Sequence, residues 1–331
     1  MSVVVGCSLF HRVMLAADAR ATVMVPGSPT IYVDNVQKLL PLTDKLAIGF
    51  VGDIPAAASL LKAMDRQLRK WSPGKRLHPV AFLNWFPRFL RFKYDRVLQV
   101  SGARPVAFIV AASLVDRPNV VERSRVVELM ERFRLGQLSM QRNWMPEILV
   151  RIMMMPASAE HIVLTDLPRG ILCALRCPDF VPQFVDPLRY VALGSGETIT
   201  EEMARVSDWV FAGNVGNSFM EVGALQDAVL SFIDRAGIST IGGMVPVIRV
   251  DLEGVTLHGY RVTMPVGGRT IELTVTSQGG WVQRNAESGR EIPLLPPWEI
   301  DLRTLLSHTA FNDLRDMFRE FRGSNVDRDG G

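Results

Sequence analysis

Several residue types that mark particular protein classes are scarce in this sequence. It contains only three cysteines, at Cys7, Cys173 and Cys177. An odd and sparse set of thiols argues against a disulfide framework and is typical of a reducing compartment. Because Cys173 and Cys177 have no second pair of ligands at zinc-site spacing, we expect no zinc site.

The sequence also has a small net charge and few long apolar runs. The formal net charge at pH 7 is +3 over 331 residues, which is too small to indicate a polyanionic partner. No apolar run reaches the ~20 residues that a membrane-spanning helix needs. Arg12 interrupts the N-terminal apolar residues early, so a signal peptide is not expected. These observations predict a cytoplasmic protein with no membrane partner.

The segment 66–96 mixes basic and aromatic residues, as grooves that bind nucleic acid do. A helix pair with a solvated basic face and an apolar inner face has the same composition, and we favour that interpretation. We therefore expect no nucleic-acid partner. The five histidines show no ligand or triad spacing, and we expect neither a cofactor nor a firm metal site.

An ordered series of apolar strands and amphipathic helices is present instead. Helices are predicted at 54–71, 79–98 (kinked or split at Pro87), 119–145, 199–212, 217–236 and 301–322. Strands are predicted at 3–9, 13–17, 36–41, 46–51, 106–114, 161–165, 171–176, 190–193, 245–251, 255–264 and 270–277. Outside the insertion and the C-terminal end, strands therefore alternate with pairs of helices. This order predicts an α+β fold with two sheets face to face and helix pairs outside.

The domain organisation follows from the same pattern. A core is expected over residues 1–258, with a charged, Met-rich helical insertion at about 115–160. Residues 259–323 read as a C-terminal β/α extension packed on the core. Residues 324–331 are polar and rich in Gly and Asp, which predicts a disordered tail.

The motifs that bear on function lie mainly in the first 52 residues. The second strand ends in A-A-D-A-R-A-T, which contains Asp18, and the next strand pair carries Lys38 and ends at Gly52. Later segments contain Gly-Ser-Gly at 194–196 and Gly-Gly at 242–243. These motifs and their spacing resemble those of proteasome β-type subunits and the related bacterial peptidases, closely over 2–52 and loosely over 190–250.

The resemblance implies a four-layer αββα sandwich, the N-terminal-nucleophile hydrolase fold, and a catalytic site with five residues. Ser2 would be the nucleophile once Met1 is removed, Lys38 its cationic partner, Asp18 the orienting acid, Gly52 the oxyanion donor and Ser195 the auxiliary serine. The chemistry of these residue types agrees. A free α-amine has a reference pKa of ~7.7–8.0 and can act as base for its own hydroxyl, and a nearby ammonium favours both the neutral amine and an alkoxide.

The resemblance also implies a substrate surface suited to a medium apolar side chain, formed by Thr22, Val36, Leu40, Phe50 and Ile54. Two departures from the family are visible. The nucleophile is Ser where the family has Thr, and Ile238 stands where proteasome subunits have an acidic residue. The bacterial relatives bind a monovalent cation near that point, which here would use the backbone at Gly237, Thr240 and Gly243.

We therefore expect a hydrolase that cleaves peptide bonds through an acyl-enzyme on Ser2. A peptide or unfolded protein would be the substrate, and the resemblance implies a homo-oligomer with a possible unfoldase partner. Two alternatives remain at this stage. One is a catalytically inactive proteasome-like scaffold subunit, and the other is a small-molecule amidase of the same fold.

Overall fold

A computed structural model describes most of the chain. The described residues are 2–9, 12–23, 30–71, 78–101, 105–124, 127–128, 131, 158, 160–187, 189–209, 218–238, 241–263, 270–277, 280–286 and 288–300. Within them the α+β class is confirmed, with four helices and several antiparallel sheets. None of these helices combines the length and the apolar character that a membrane span requires.

Two five-stranded antiparallel sheets form the centre of the fold. The first has the order β10-β1-β2-β11-β12 and consists of β1 (Val3–Ser8), β2 (Val13–Ala17), β10 (Tyr190–Gly194), β11 (Val247–Val250) and β12 (Val255–His258). The second has the order β5-β6-β7-β8-β9 and consists of β5 (Leu39–Thr43), β6 (Leu46–Gly52), β7 (Val106–Glu122), β8 (His161–Arg176) and β9 (Gln183–Val185).

In the described part of the chain, four helices cover these sheets. They are α1 (Ile54–Trp71), α2 (Pro79–Ser101), α3 (Thr200–Trp209) and α4 (Ser218–Ala236). One apolar cluster joins α1 and α2 to the second sheet, and another joins α3 and α4 to the first sheet. A third cluster lies between the sheets, where Val4 and Leu15 of the first meet Ala47 and Ile109 of the second. The strands β1 and β2, which are apolar except for Ser8, are buried on both faces for this reason.

Helix α1 begins where the sequence predicts, because Asp53 caps it. The Asp53 side chain accepts a hydrogen bond from the Ala56 N–H at 2.8 Å, which satisfies one of the free donors of the first turn. Arg69 and Lys70 in the last turn complement the negative end of the helix dipole.

Helix α2 continues through Pro87 as one helix, although an interior proline costs about 3 kcal/mol. Phe82, Phe86 and Phe89 lie on its inner face and stack on one another, and all three are buried. Each buried aromatic side chain contributes roughly 1.5–3 kcal/mol, so together they outweigh the cost of the proline.

The expected helical insertion at 115–160 begins as a strand instead. Residues 115–122 extend β7, and residues 119–122 pair with residues 161–164 of β8. The register shifts near Pro118, where a proline cannot donate to the ladder. The strands predicted at 161–165 and 171–176 are likewise one strand. Most of the remaining insertion, together with the helix predicted at 301–322 and the tail at 324–331, lies outside the described residues.

Two smaller sheets complete the described structure. Strands β3 (Ala21–Val23) and β4 (Ile31–Val33) form a pair next to the connection to β5. Strands β13 (Tyr260–Thr263), β14 (Thr270–Val275), β15 (Trp281–Asn285) and β16 (Glu291–Pro293) form a four-stranded antiparallel meander. Its buried Leu273 and Trp281 join the cluster between the two large sheets.

Candidate functional site

A buried ion pair between Lys38 and Asp18 is the most unusual feature of the described structure. The Lys38 Nζ lies 2.7 Å from the Asp18 Oδ1, and the two side chains are 1% and 0% exposed. Asp18 follows β2 directly and Lys38 precedes β5, so the two large sheets bring them together. Because a buried charge is costly unless it is paired and hydrogen-bonded, this pair must be held by further contacts.

Backbone donors supply those contacts for Asp18. Its Oδ1 also accepts from the Val3 N–H at 2.8 Å, and its Oδ2 accepts from the N–H groups of Arg20 at 3.3 Å and Gly242 at 3.4 Å. Lys38 additionally donates to the Arg20 carbonyl oxygen. The carboxylate is therefore fixed in position, and it orients the Lys38 ammonium.

Burial lowers the pKa of Lys38 below its ordinary value. The negative charge of Asp18 and its hydrogen bond act in the opposite direction, and the nearby Arg20 guanidinium adds to the lowering. A lysine with this environment changes protonation more readily than a surface lysine, which is typical of functional sites.

Ser2 is held beside this pair through its neighbours in β1. Val3 donates to Asp18, and the Asp18 N–H donates in return to the Val3 carbonyl at 3.1 Å. The Ser2 carbonyl accepts from the Ser195 N–H at 2.8 Å. Ser2 itself is 5% exposed, and Met1 lies outside the described residues. The structure thus brings Ser2, Asp18, Lys38 and Ser195 into one cluster.

Ser195 contributes a buried hydroxyl to this cluster. Its Oγ is shielded from solvent and makes no hydrogen bond with any residue that the structure describes. An unsatisfied buried hydroxyl costs roughly 1–3 kcal/mol. Gly194 allows the chain to pass close to Ser2. Its φ is +71°, and a Cβ at this position would lie 2.1 Å from the Ser2 carbonyl oxygen.

Gly52 ends β6 in an exposed position with a φ of +103°. A Cβ at this position would lie 2.1 Å from the Pro105 carbonyl oxygen, so both conformation and space require glycine. The preceding Val51 lies against Gly194, since a Cβ added to Gly194 would be 3.4 Å from the Val51 Cβ. Gly52 therefore follows a residue that lies close to Gly194, the neighbour of Ser195.

Most of the residues expected to line the substrate surface are buried. Val36, Leu40 and Phe50 are 5% exposed or less and belong to the cluster under α1 and α2, so they present almost no surface to a ligand. Thr22 lies half-buried in β3, and Ile54 opens α1 in a partly buried position. Of this set, only Thr22 and Ile54 retain appreciable exposed surface.

A second ion pair, between Arg20 and Asp34, lies beside the Lys38–Asp18 pair and was not expected from the sequence. The Arg20 Nη2 donates to the Asp34 Oδ2 at 2.8 Å, and the Arg20 Nε lies 2.5 Å from the Oδ1, which makes a bidentate pair. Its hydrogen bond to Asp34 raises the pKa of Arg20 further. A Cβ on Gly242 would lie 2.8 Å from the Arg20 Cζ, so the Gly-Gly turn leaves room for the guanidinium. Arg20 is the arginine of the A-A-D-A-R-A-T motif, so the sequence could have indicated that it belongs to the site.

Two of the three cysteines, Cys7 and Cys173, are poor candidates for a thiol nucleophile. Burial raises the pKa of Cys7 to about 12 and that of Cys173 to about 12. Both thiols are therefore protonated at neutral pH, and a thiolate is the reactive form.

In the described part of the chain, no three His, Cys, Asp or Glu side chains are grouped closely enough to hold a metal ion. For the expected monovalent-cation site, Gly237 and Gly243 have φ values of +58° and +74°. Gly243 packs against Asp34 and Ala19, and Thr240 lies outside the described residues.

Comparisons with known proteins do not add a family assignment. No model of a known protein family matches the sequence, and no curated protein matches it.

Proposed function

We propose that this chain is a proteasome-like N-terminal-nucleophile hydrolase that cleaves amide bonds of peptides through an acyl-enzyme on Ser2. The observation that carries the proposal is the buried Lys38–Asp18 pair, in which the carboxylate also binds the backbone N–H next to Ser2. A lysine in this position is costly as a purely structural element, because apolar residues of similar volume are often at least as stable there. Its use in chemistry explains why it is present.

The reaction would proceed in two steps after removal of Met1. The Ser2 Oγ attacks the carbonyl carbon, and its proton passes to the Ser2 α-amine. That proton is then given to the leaving amine as the C–N bond breaks, which leaves an ester on Ser2. A water molecule, deprotonated by the same α-amine, then attacks the ester carbonyl. As the acyl C–O bond breaks, the α-amine returns that proton to the Ser2 Oγ and the carboxylic acid product leaves. The Lys38 ammonium keeps the amine neutral and stabilises the developing alkoxide.

Gly52 and Ser195 would assist these steps. The Gly52 N–H, at an exposed strand end, would donate to the oxyanion of the tetrahedral intermediate, and the absence of a side chain lets a substrate carbonyl approach. The Ser195 backbone N–H binds the Ser2 carbonyl oxygen, and the unsatisfied Ser195 Oγ would hydrogen-bond to the freed α-amine. Removal of Met1 would thus give this hydroxyl a partner.

The packing order supports the same proposal. Helices α1 and α2, the second sheet, the first sheet, and helices α3 and α4 follow one another as successive layers. This order is the one expected for the αββα sandwich of N-terminal-nucleophile hydrolases. The meander β13–β16 would then be a C-terminal addition to that sandwich.

Hydrolysis of fluorogenic peptide amides by the purified protein tests the proposal. Ser2→Ala should abolish turnover, whereas Ser2→Thr should retain it, because both side chains carry a hydroxyl. Ser8→Ala is the matched control, since Ser8 is another buried serine at the opposite end of β1. Turnover that survives in Ser2→Ala would contradict the proposal.

A second candidate function is that of a catalytically inactive scaffold subunit. The burial of Ser2, at 5% exposed, favours it, because a substrate carbonyl must reach the nucleophile. The mass of the native N-terminus separates the two functions. A chain that begins at Ser2 supports the enzyme, and a chain that keeps Met1 supports the scaffold, since the amide nitrogen of Ser2 is then no base.

The assembly and its partners are part of the same proposal. We infer a homo-oligomer that acts on peptides or unfolded proteins, with an unfoldase as a possible partner in the cytoplasm. Light scattering at micromolar concentration should then give a particle several times the 36.8 kDa mass of the chain. A monomer that hydrolyses small amides would instead support the small-molecule amidase of the same fold.

A further inference from the structure

The chain covers part of its own site region with a C-terminal strap, which we define as residues 294–300. Leu295 forms a parallel bridge with Val36. The Leu295 N–H donates to the Asn35 carbonyl at 2.7 Å, and the Gln37 N–H donates to the Leu295 carbonyl at 2.8 Å. The strap is therefore bound as an added extended peptide would be, through main-chain hydrogen bonds.

Side chains anchor the strap at both ends. Leu294 is 4% exposed and belongs to the cluster between the two large sheets. Ile300 packs against the cluster under α1 and α2. With both ends packed and main-chain bonds between them, the strap forms a fixed wall within the described residues.

A cavity of about 250 Å³ lies between the strap and the first turns of α1. The helix contributes Ile54, Pro55 and Ala58, and the strap contributes Pro297, Trp298 and Ile300, with the polar groups of Ser59 and Lys62 completing the lining. The Trp298 side chain is 39% exposed. The lining is mainly apolar, and the volume is below the roughly 300–1,000 Å³ of pockets for whole small-molecule ligands.

Both walls of this cavity are connected to segments that lie only two residues from members of the proposed site. Ile54 follows Gly52 by two residues, and Val36, to which the strap is bound, precedes Lys38 by two. Two residues span at most about 7 Å of extended chain. If the scissile carbonyl of a bound peptide lies at Gly52, a neighbouring side chain of that peptide can therefore reach the cavity.

We propose that this cavity is a subsite for one apolar side chain of the substrate, and that Trp298 determines the size of side chain it accepts. The inference rests on the proposed function for the identity of the ligand as a peptide. It assigns to the C-terminal extension a direct part in substrate selection. The buried Val36, Leu40 and Phe50 then act as the floor beneath the site rather than as its contact surface.

Kinetics on peptide amides that carry Ala, Leu, Phe or Trp, with each position varied in turn, test the subsite. Trp298→Ala should shift the ratio of kcat/KM values for Trp over Leu at one position by about tenfold, mainly through KM. Trp298→Phe should restore most of the original ratio. Phe92→Ala, which removes an exposed aromatic side chain from α2, should leave the ratio unchanged. Unchanged ratios in Trp298→Ala at every position would overturn the proposal.

Binding to Ser2→Ala separates a failure of the subsite from a failure of the catalytic proposal. Calorimetric titration with these peptides should show binding to the Ser2→Ala variant. The double variant Ser2→Ala, Trp298→Ala should bind the same peptide about tenfold more weakly. If the wild type does not hydrolyse the peptides but Ser2→Ala binds them in this Trp298-dependent way, the catalytic proposal fails and the subsite stands. Equal binding with and without Trp298, or no binding at all, overturns the subsite.

Discussion

The Lys38 ammonium lies 2.7 Å from the Asp18 carboxylate, and both groups are almost completely shielded from water. Asp18 in turn holds the backbone N–H that follows Ser2. This relationship connects stability with the proposed chemistry, because the cation that stabilises the buried carboxylate is the one that the proposed mechanism uses. Variants of the pair should therefore separate the two effects.

Replacement of Lys38 by Ala should lower both activity and stability. Loss of the cation from the site should reduce turnover at least about 100-fold, as removal of a preorganised charge stabiliser does. It also leaves Asp18 as an unpaired buried charge, which costs about 3–5 kcal/mol of unfolding free energy. Peptide hydrolysis and urea unfolding of the same preparation measure the two losses.

The double variant Asp18→Asn, Lys38→Met distinguishes chemistry from folding. A neutral pair of similar volume should recover most of the lost stability. Turnover should stay at least about 100-fold below that of the wild type, because the neutral methionine cannot support the amine or the alkoxide. If the stable double variant hydrolyses peptides at the wild-type rate, Lys38 has no catalytic part.

The pH dependence of kcat/KM should be bell-shaped. The acidic limb reports loss of a proton from the Ser2 α-amine, and the nearby Lys38 charge places it below the reference pKa of ~7.7. The alkaline limb reports loss of the Lys38 proton, and burial places it below the ordinary lysine pKa. Lys38→Arg should move the alkaline limb upward, because a guanidinium stays protonated.

The rate of covalent labelling of Ser2 gives the same profile if Lys38→Arg turns over too slowly for steady-state measurement. An alkaline limb that stays in place in Lys38→Arg would show that another group titrates there. The assignment of that limb to Lys38 would then be wrong.

Gly52→Ala should reduce both stability and reactivity. The residue has a φ of +103°, and its new Cβ would meet the Pro105 carbonyl oxygen at 2.1 Å. Backbone strain of this kind costs of order 1–3 kcal/mol, and any shift of the Gly52 N–H misplaces the oxyanion donor. Gly223→Ala is the control: this glycine lies in α4 with open space around its Cβ position, so alanine should stabilise by roughly 0.5–1 kcal/mol.

The free energy of unfolding should decrease as the pH is lowered from neutral to mildly acidic, because of His258. Burial and the charge of Arg249 lower the pKa of His258 to about 4, while Asp251 acts in the opposite direction. The unfolded chain, with a histidine pKa near 6.5, therefore binds a proton that the folded chain does not between about pH 6.5 and 4. The folded state loses stability as the pH falls through this window.

Urea midpoints at pH 7 and pH 5 measure this effect. His258→Gln should show a smaller difference between the two midpoints than the wild type. His78→Gln, at an exposed position, should behave as the wild type does. Equal pH dependence in His258→Gln would mean that other groups cause the loss.

Local patterns were sufficient to predict much of the fold. Strands β1, β2 and β6 are predominantly apolar runs, and α1 has a capping Asp and helical spacing, so their predicted bounds agree with the structure within one or two residues. The family resemblance implied that Asp18 and Lys38 belong to one site, and the structure shows that they form an ion pair.

Tertiary contacts explain what the sequence did not reveal. Residues 119–122 resemble part of a charged helix, but pairing with 161–164 makes them a strand. The strap binds next to Val36 from more than 250 positions away, which no local pattern indicates. Phe50 has the size of a pocket residue, yet packing of α1 and α2 over β6 buries it.

Covalent labelling tests the central claim most directly. Native protein is treated with a peptide epoxyketone or a small β-lactone, and the modified residue is located by peptide mass mapping. We expect a chain that begins at Ser2, with one adduct on Ser2 that is lost in Ser2→Ala and retained in Ser8→Ala. A native chain that still carries Met1 and takes up no probe would contradict the account and favour the inactive scaffold.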